Sequence, residues 1–452
     1  MPLAWLPCAL QPSRDSADAL ACGPSARRPR RLVKGFGTAP LDTLTPARIA
    51  EIESGIETPY AWRRLVLSLL LSTIGGVGLW SAVVVLPAIQ AEFGVARASA
   101  SLPYTLTMLG FAVGGIATGW LADRFGIMFP VIGGTVALAI GYIAASETQS
   151  LWQFAAVQGV MIGLFGSSAT FGPLIADISH WFRRNRGTAV GICASGSYLA
   201  GTVWPPVLQH FIEAHGWRAA YAGVGIFCIV TMLPLSLALR RRTPLLHGAA
   251  PVAAAGPSAY RLSPNLLQIL LVIAGFACCV AMSMPQVHIV AYCADLGYGV
   301  ARGAEMLSLM LGAGVVSRMT SGWICDRIGG VRTLLLGSAL QCLTLVFYLP
   351  WNGLTSLYIV SALFGLSQGG IVPAYAMIVR EYFAPQDAGA RLGLILMATI
   401  FGMAVGGWMS GAIFDLTSSY RAAFVNGILW NLLNLSIALW LLRQPRMREA
   451  RA

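Results

Sequence analysis

The sequence predicts an all-α membrane protein whose twelve transmembrane helices form two six-helix repeats. Three observations predict it. Of 452 residues, 56% are hydrophobic and only 11% are charged, against about 45–50% and about 25% in soluble domains. Mean hydropathy is +0.70. So few charges cannot cover the three water-facing domains that length alone would suggest. From Leu65 onward, apolar runs recur that are each long enough for a spanning helix of about 20 residues. Finally, one eight-residue segment occurs twice, at matching places in the two halves of the chain.

The formal net charge of +12 does not make this a nucleic-acid-binding or disordered chain, because the charged fraction is too small for either. All but one of the 30 basic residues are arginines, Lys34 being the exception. That bias reads first as the coding habit of a GC-rich genome. The nine cysteines show no paired spacing, and seven lie in or beside apolar runs. They read as small core residues, with no disulfide or metal framework and no cofactor implied.

Residues 1–60 differ in composition from everything that follows. The basic cluster Arg27-Arg28-Pro29-Arg30-Arg31 precedes no continuous apolar region, which excludes both a signal peptide and a twin-arginine export signal. The segment reads as a polar, disordered cytoplasmic tail, part of it an over-called start.

The spans fall near 65–90, 102–122, 128–146, 151–175, 188–210, 218–239, 264–290, 305–324, 331–349, 355–378, 391–414 and 421–442. An even number returns both ends to one side. If that side is the cytoplasm, the inner loops and tails hold 25 of the basic residues, and the outer loops hold only Arg97, Arg218, Arg302 and Arg421. This asymmetry predicts a multi-pass protein of the cell (inner) membrane with both termini cytoplasmic. One basic residue is left over, Arg318, inside a span. None of the twelve acids after the tail lies in mid-span.

The longest inner connection, 240–263, opens with Arg240-Arg241-Arg242 and continues Ala-, Pro- and Gly-rich. It links an N-terminal half, 61–239, to a C-terminal half, 264–443, with a short tail at 444–452. Gly119-Trp120-Leu121-Ala122-Asp123-Arg124-Phe125-Gly126 recurs as Gly322-Trp323-Ile324-Cys325-Asp326-Arg327-Ile328-Gly329, with five of eight positions identical. Each copy follows the second span of its half. A parallel repeat of six spans points to a transporter with the substrate path between the halves.

The pattern Gly119-x-x-x-Asp123-Arg124-x-Gly126 and its echo at 322–329 resemble the loop signatures of the major facilitator superfamily of secondary transporters, over residues 65–443. Where the usual signature continues with basic positions, Ile127-Met128-Phe129-Pro130 follows here. A carboxylate at a helix end can sit against the positive N-terminus of a neighbouring helix, while the adjacent arginine pairs with an acid across the interface. The resemblance implies that Asp123 and Arg124, and likewise Asp326 and Arg327, act in gating, with Asp177 as the partner of Arg124. Ordinary positive-inside anchoring is the alternative.

A narrower similarity lies in Trp181-Phe182-Arg183-Arg184-Asn185-Arg186-Gly187, continuing to Ser195-Gly196-Ser197 and Pro205-Pro206. It resembles the entry to span five in bacterial monocarboxylate porters and the oxalate/formate antiporter group. Span eight matches through Gly314-Val315-Val316-Ser317-Arg318, with Gly314 where that group carries a polar or acidic residue. Ser81 stands where it carries a lysine.

Arg318 lies eight residues before Asp326, about 12 Å along a helix from the cytoplasmic end. An arginine near the midplane should face a cavity or a partner. Its planar fork of donors suits a carboxylate; snorkelling or capping of backbone carbonyls is the alternative. His288 sits in the outer part of span seven, where Pro285 is expected to break the helix and make an outer gate or part of the substrate path. Gln286, Gln368 and Tyr375 either line the cavity or bond between neighbouring helices. Gln158 and Gln368 are related by the repeat. Glycines 402, 406, 407 and 411 mark one face of span eleven for close packing.

No phosphate loop is present, which excludes an ATP-driven pump, and no polar catalytic constellation suggests an enzyme. Ala155 stands where the superfamily carries a span-four arginine, and the Gly-Pro run typical of its drug/proton antiporters is missing from span five, so the resemblance argues against a multidrug exporter. The expectation is therefore alternating-access transport of small organic anions, monocarboxylates first, by proton symport or anion exchange. An exporter of other small molecules or drugs, and a transporter-like receptor without transport, are the alternatives. The partners would be the substrate anion, protons and membrane lipid, with no nucleic acid.

Overall fold

The computed structural model describes residues 57–182, 185–241, 263–383 and 385–444. The expected tail 1–60, the linker 240–263 and the short tail 444–452 fall mostly outside them. All regular elements among the described residues are helices. Eleven are long and apolar enough to cross a membrane.

In the first half these are α1 (Pro59–Phe93), α2 (Arg97–Phe125), α3 (Met128–Ser146) and α4 (Leu151–Trp181), followed by the 52-residue stretch Arg186–Leu237. At 1.5 Å per residue that stretch would run about 78 Å, more than twice the hydrocarbon thickness. It turns at Gly216, whose φ of 82° and ψ of 159° are not helical. The turn divides it into α5 (186–215) and α6 (217–237), so eleven helices make twelve crossings. The second half holds α7 (Pro264–Asp295), α8 (Val300–Ile328), α9 (Gly330–Phe347), α10 (Leu354–Tyr382), α11 (Ala388–Thr417) and α12 (Tyr420–Arg443).

Local chemistry explains where α1 begins. Thr58 accepts a hydrogen bond from the Ala61 amide on its Oγ1 at 3.4 Å, and Pro59 takes the first helical position. The helix therefore starts six residues earlier than the apolar run suggests, and it recruits Arg63 and Arg64 from what reads as tail.

The glycine face of α11 packs as its spacing predicts. A Cβ at Gly402 would come within 2.4 Å of the Phe276 carbonyl, and one at Gly406 within 2.6 Å of the Val280 carbonyl, both on α7. Gly411 faces the Ala98 backbone of α2 at 3.0 Å. Two helices thus approach α11 more closely than a side chain would allow.

The expected break at Pro285 does not occur. Helix α7 runs unbroken from Pro264 to Asp295 with Pro285 inside it, because the neighbouring helices hold the turn in place. The irregular backbone lies instead in α4 and α10, directly after the repeat-related glutamines. Gln158 opens a wide π-helical stretch to Gly166, followed by a tight turn through Thr170. In α10 the helix ends at Gln368 and resumes at Ile371. Gly369 there lets α8 approach: a Cβ would meet the Gly314 carbonyl at 2.4 Å and Ser317 Cβ at 2.8 Å.

Candidate functional site

The two halves meet unevenly. On the face away from the repeated motif, here the far face, Arg97 at the start of α2 crosses to the second half. Its Nη1 donates to Asp295 Oδ2 at 3.0 Å and Nη2 to Asp295 Oδ1 at 3.2 Å, and Nη1 also donates to the Tyr420 hydroxyl. The guanidinium lies 4.7 Å over the Phe414 ring. In return, Asp415 of α11 accepts the backbone amides of Arg97 and Ala98 at 2.8 and 2.7 Å, so a carboxylate sits on the N-terminus of α2. Below this clamp the Thr105 hydroxyl donates to the Ala404 carbonyl at 3.1 Å, and Tyr104 packs against Gly407. The far face is closed.

At the motif face the helix ends stand apart. Asp123, Arg124, Asp326 and Arg327 are exposed. An added Cβ would meet nothing within 4 Å at Gly119 of α2, Gly191 of α5, Gly322 of α8 or Gly389 of α11. Arg124 stacks on Trp120 and Phe125, and Arg327 on Trp323, each within its own helix. The expected Arg124–Asp177 pair is not made. Asp177 is held by Arg64, which donates from Nε to Oδ2 at 2.7 Å and from Nη2 to Oδ1 at 3.0 Å, both side chains being buried. Arg64 also reaches Tyr60, the Leu239 carbonyl and the Arg241 carbonyl, tying α1, α4 and the end of α6 together. A buried, two-pronged pair inside one half leaves Asp177 no open face for Arg124.

Arg318 lies where α8 meets α5. Its Nη1 donates to the Ala194 carbonyl at 3.0 Å, and its guanidinium lies 4.3 Å over the Tyr198 ring. The backbone at Ala194-Ser195-Gly196 leaves that carbonyl without its helical amide. The Tyr198 amide bonds to the Ser195 carbonyl at 3.1 Å, one residue short of the α-helical partner, and the Ala194 carbonyl accepts instead from Arg318 and, at 3.3 Å, from the Ser197 hydroxyl. Gly314, one turn before Arg318, admits the Tyr198 ring: a Cβ at 314 would come within 2.5 Å of Tyr198 Cε1. The Nε of Arg318 is buried and has no partner. The backbone-capping alternative therefore accounts for one donor and leaves another unused.

The other candidates divide differently. His288 is buried, and its Nε2 faces the Gly407 carbonyl of α11 at 2.8 Å, so that nitrogen carries the proton; Nδ1 has no partner. Its ring lies 5.9 Å from that of Tyr420, directly beneath the far clamp. Gln286 donates to Gln368 Oε1 at 2.6 Å, and the Tyr375 hydroxyl donates to Asn434 Oδ1 at 3.1 Å. All three side chains are buried within the second half. Both bonds cross-brace helices, and Gln368 Nε2 is buried without a partner. Gln158 makes the matching bonds in the first half, to the Gly78 carbonyl and Ser81 Oγ at 3.3 Å each.

Sequence reasoning missed Arg97 and Arg64. Arg97 counts as an outer-loop residue in a charge census and Arg64 as part of a tail, so Arg318 stood out as the lone interior charge. A signal for Arg64 did exist, in that the acid Asp177 needs a basic partner. A separate groove of about 740 Å³ lies among α1, α5 and α6, lined by Thr73, Trp204, Phe211, His215 and Phe227. Phe211 and Phe227 are exposed, so it opens on the outer wall of the bundle. Neither Arg318 nor Tyr198 lines it.

The sequence model of the Major Facilitator Superfamily matches residues 68–356 and 303–452. Monocarboxylate transporter 13 of Bos taurus is 28% identical over 337 residues, 72% of this chain and 75% of that protein. The MFS-type transporter pynF of Aspergillus niger is 25% identical over 319 residues, 70% of this chain and 72% of that protein. Among solved structures, a bacterial homologue of the human lysosomal transporter Spinster, inward-facing and occupied, superposes with a TM-score of 0.69 at 14% identity. It covers 87% of this chain and all of that one. A peptide transporter bound to alafosfalin gives 0.65 at 14% identity, covering 83% and 94%. At such identities the structures share the fold.

Proposed function

We propose that this chain, which belongs to the Major Facilitator Superfamily of transporters, moves small organic anions, monocarboxylates foremost, by alternating access between its two halves. The observation that carries this reading is Arg318. It is half-buried in a spanning helix, it bridges the halves, and its Nε has no partner. An arginine in such a place costs about 2.5–3.5 kcal/mol even on the mild insertion scale. A substrate carboxylate offsets that cost by taking the unused donor in a forked pair.

Relatives named as monocarboxylate transporters agree with this chemistry. The arginine asymmetry supports placing the motif face and both termini in the cytoplasm of a cell with an inner membrane. The conformation then faces inward, with Arg97, Asp295, Asp415 and Tyr420 as the closed outer gate and His288 beneath it. Asp123 and Arg124, with Asp326 and Arg327, would engage the opposite half when the inner face closes. Asp177 serves Arg64 within its own half.

The test is uptake of labelled carboxylates into proteoliposomes, comparing the chain with Arg318→Ala. Loss of uptake in the variant is the expected result. Unchanged uptake overturns the role of Arg318, and uptake of cations or sugars alone overturns the substrate class. A second reading, export of other small molecules, is favoured by relatives such as the agnestins efflux protein AgnL12 of Paecilomyces divaricatus, 24% identical. Inside-out against right-side-out vesicles separate the two directions.

A further inference from the structure

Beneath the far clamp two rings keep a buried polar atom without a partner. One is the hydroxyl of Tyr104 on α2, and the other is Nδ1 of His288 on α7. Both rings abut Gly407 of α11. A Cβ at Gly407 would lie 3.1 Å from Tyr104 Cδ1 and Cε1, and the Gly407 carbonyl lies 2.8 Å from His288 Nε2. The adjacent hydroxyl of Thr105 is used, donating across the seam to the Ala404 carbonyl. Buried polar atoms are as a rule bonded, so two orphans around one glycine are unusual.

The two atoms are complementary in kind. His288 Nε2 faces a carbonyl and carries the proton, so Nδ1 offers only a lone pair, whereas the Tyr104 phenol has a proton to give. They also belong to different halves and part when the far seam opens. A carboxylate between them could accept from the phenol but would meet the Nδ1 lone pair with repulsion. A hydroxyl suits both, because it accepts and donates at once. Depth separates this pair from Arg318. Tyr104 stands seven residues inside Arg97 on α2, about 10 Å along the axis. Arg318 stands eighteen residues from Val300, where α8 begins at the far face, about 27 Å along it.

We propose that Tyr104 and His288 form an outer entry subsite for hydroxylated carboxylates, in which the Tyr104 phenol donates to the substrate hydroxyl and that hydroxyl donates to His288 Nδ1. The subsite works on entry from the far face, while the clamp of Arg97, Asp295 and Asp415 is open, and it is sealed in the conformation described above. It lies too far from Arg318 for a small acid to touch both, so it governs which anion is admitted and not how its carboxylate is held. An analogue without the hydroxyl strips water from both atoms and returns no bond. The inference rests on the carboxylate reading and adds a requirement on the substrate's second polar group.

The test uses the full chain in proteoliposomes sorted by orientation, with labelled lactate against propionate and mandelate against phenylacetate, pairs that differ by one hydroxyl. For entry at the far face, kcat/KM should favour the hydroxylated member at least fivefold, and for entry at the motif face less than twofold. Tyr104→Phe, which keeps the ring against Gly407, should bring the far-face ratio down to the motif-face value. A shift in the balance of open and closed states alters both members of a pair alike, so the ratio reports the contact itself. Equal ratios at the two faces of the parent overturn the subsite and leave the Arg318 site standing. So does a far-face ratio unmoved in Tyr104→Phe, or abolished entry of both members in that variant. Transport of none of the four acids by folded parent protein overturns the carboxylate reading and the subsite with it.

Discussion

Arg64 and Asp177, 113 positions apart in the chain, form a two-pronged ion pair at 2.7 and 3.0 Å with both side chains withdrawn from solvent. Such a pair is hard to break from one side. Arg64→Ala strands the carboxylate of Asp177 and should lower stability by about 3–5 kcal/mol. Replacing both partners with apolar residues of similar volume should recover most of the loss. Thermal unfolding of the purified protein in detergent measures both, and a single variant as stable as the parent would contradict the pairing.

The far clamp holds the halves together through Arg97. Removing its charge with Arg97→Gln should shift the balance toward a state open at that face. A shift of about 1.4 kcal/mol changes the population tenfold. The readout is labelling of a cysteine introduced at Val287, buried beside Gly407, by a membrane-impermeant maleimide. The labelling rate should rise roughly in that proportion, and Asp415→Asn should act in the same direction.

Glycine substitutions separate packed from open positions on α11. Gly406→Ala would drive a Cβ into the Val280 backbone at 2.6 Å, and overpacking of this kind costs about 1–3 kcal/mol. Gly389→Ala, which meets nothing within 4 Å, should be neutral or slightly stabilising through its better helix propensity, by up to about 1 kcal/mol. Unfolding midpoints of the two variants would differ accordingly.

Gln286 and Gln368 bond to each other inside the second half, so Gln368→Leu should lower stability by about 1 kcal/mol, the usual worth of such a bond. The substrate KM should stay within about twofold of the parent value, since the two side chains are buried and bonded to each other. A large rise in KM with stability intact would place Gln368 on the substrate path after all.

The architecture was legible because its signals are compositional and repeated. Twelve apolar runs and the glycine face of α11 follow from what lipid demands of a helix, and the duplicated motif marks the two halves. The polar contacts were legible only in part. Arg318 stood out because a charge in a span is rare, whereas Arg97 and Arg64 hid at helix ends where arginines are ordinary. Pro285 misled because a proline interrupts one hydrogen bond without dictating whether its neighbours will hold the turn. The breaks in α4 and α10 carried a signal in their Gln-Gly steps, which polarity alone did not turn into geometry. The exchange of partners at Asp177 depended on where α1 begins, and that was set by Thr58 and Pro59.

The connection between α5 and α6 is a single residue, Gly216, in a backbone conformation that L-residues rarely adopt. A joint so short has no slack. Any displacement of α5, which carries the Ala194 and Tyr198 partners of Arg318, is therefore passed to α6 as torque. The pair then swings as one lever with its fulcrum at the far surface, which favours rotation of a whole half over bending of one helix.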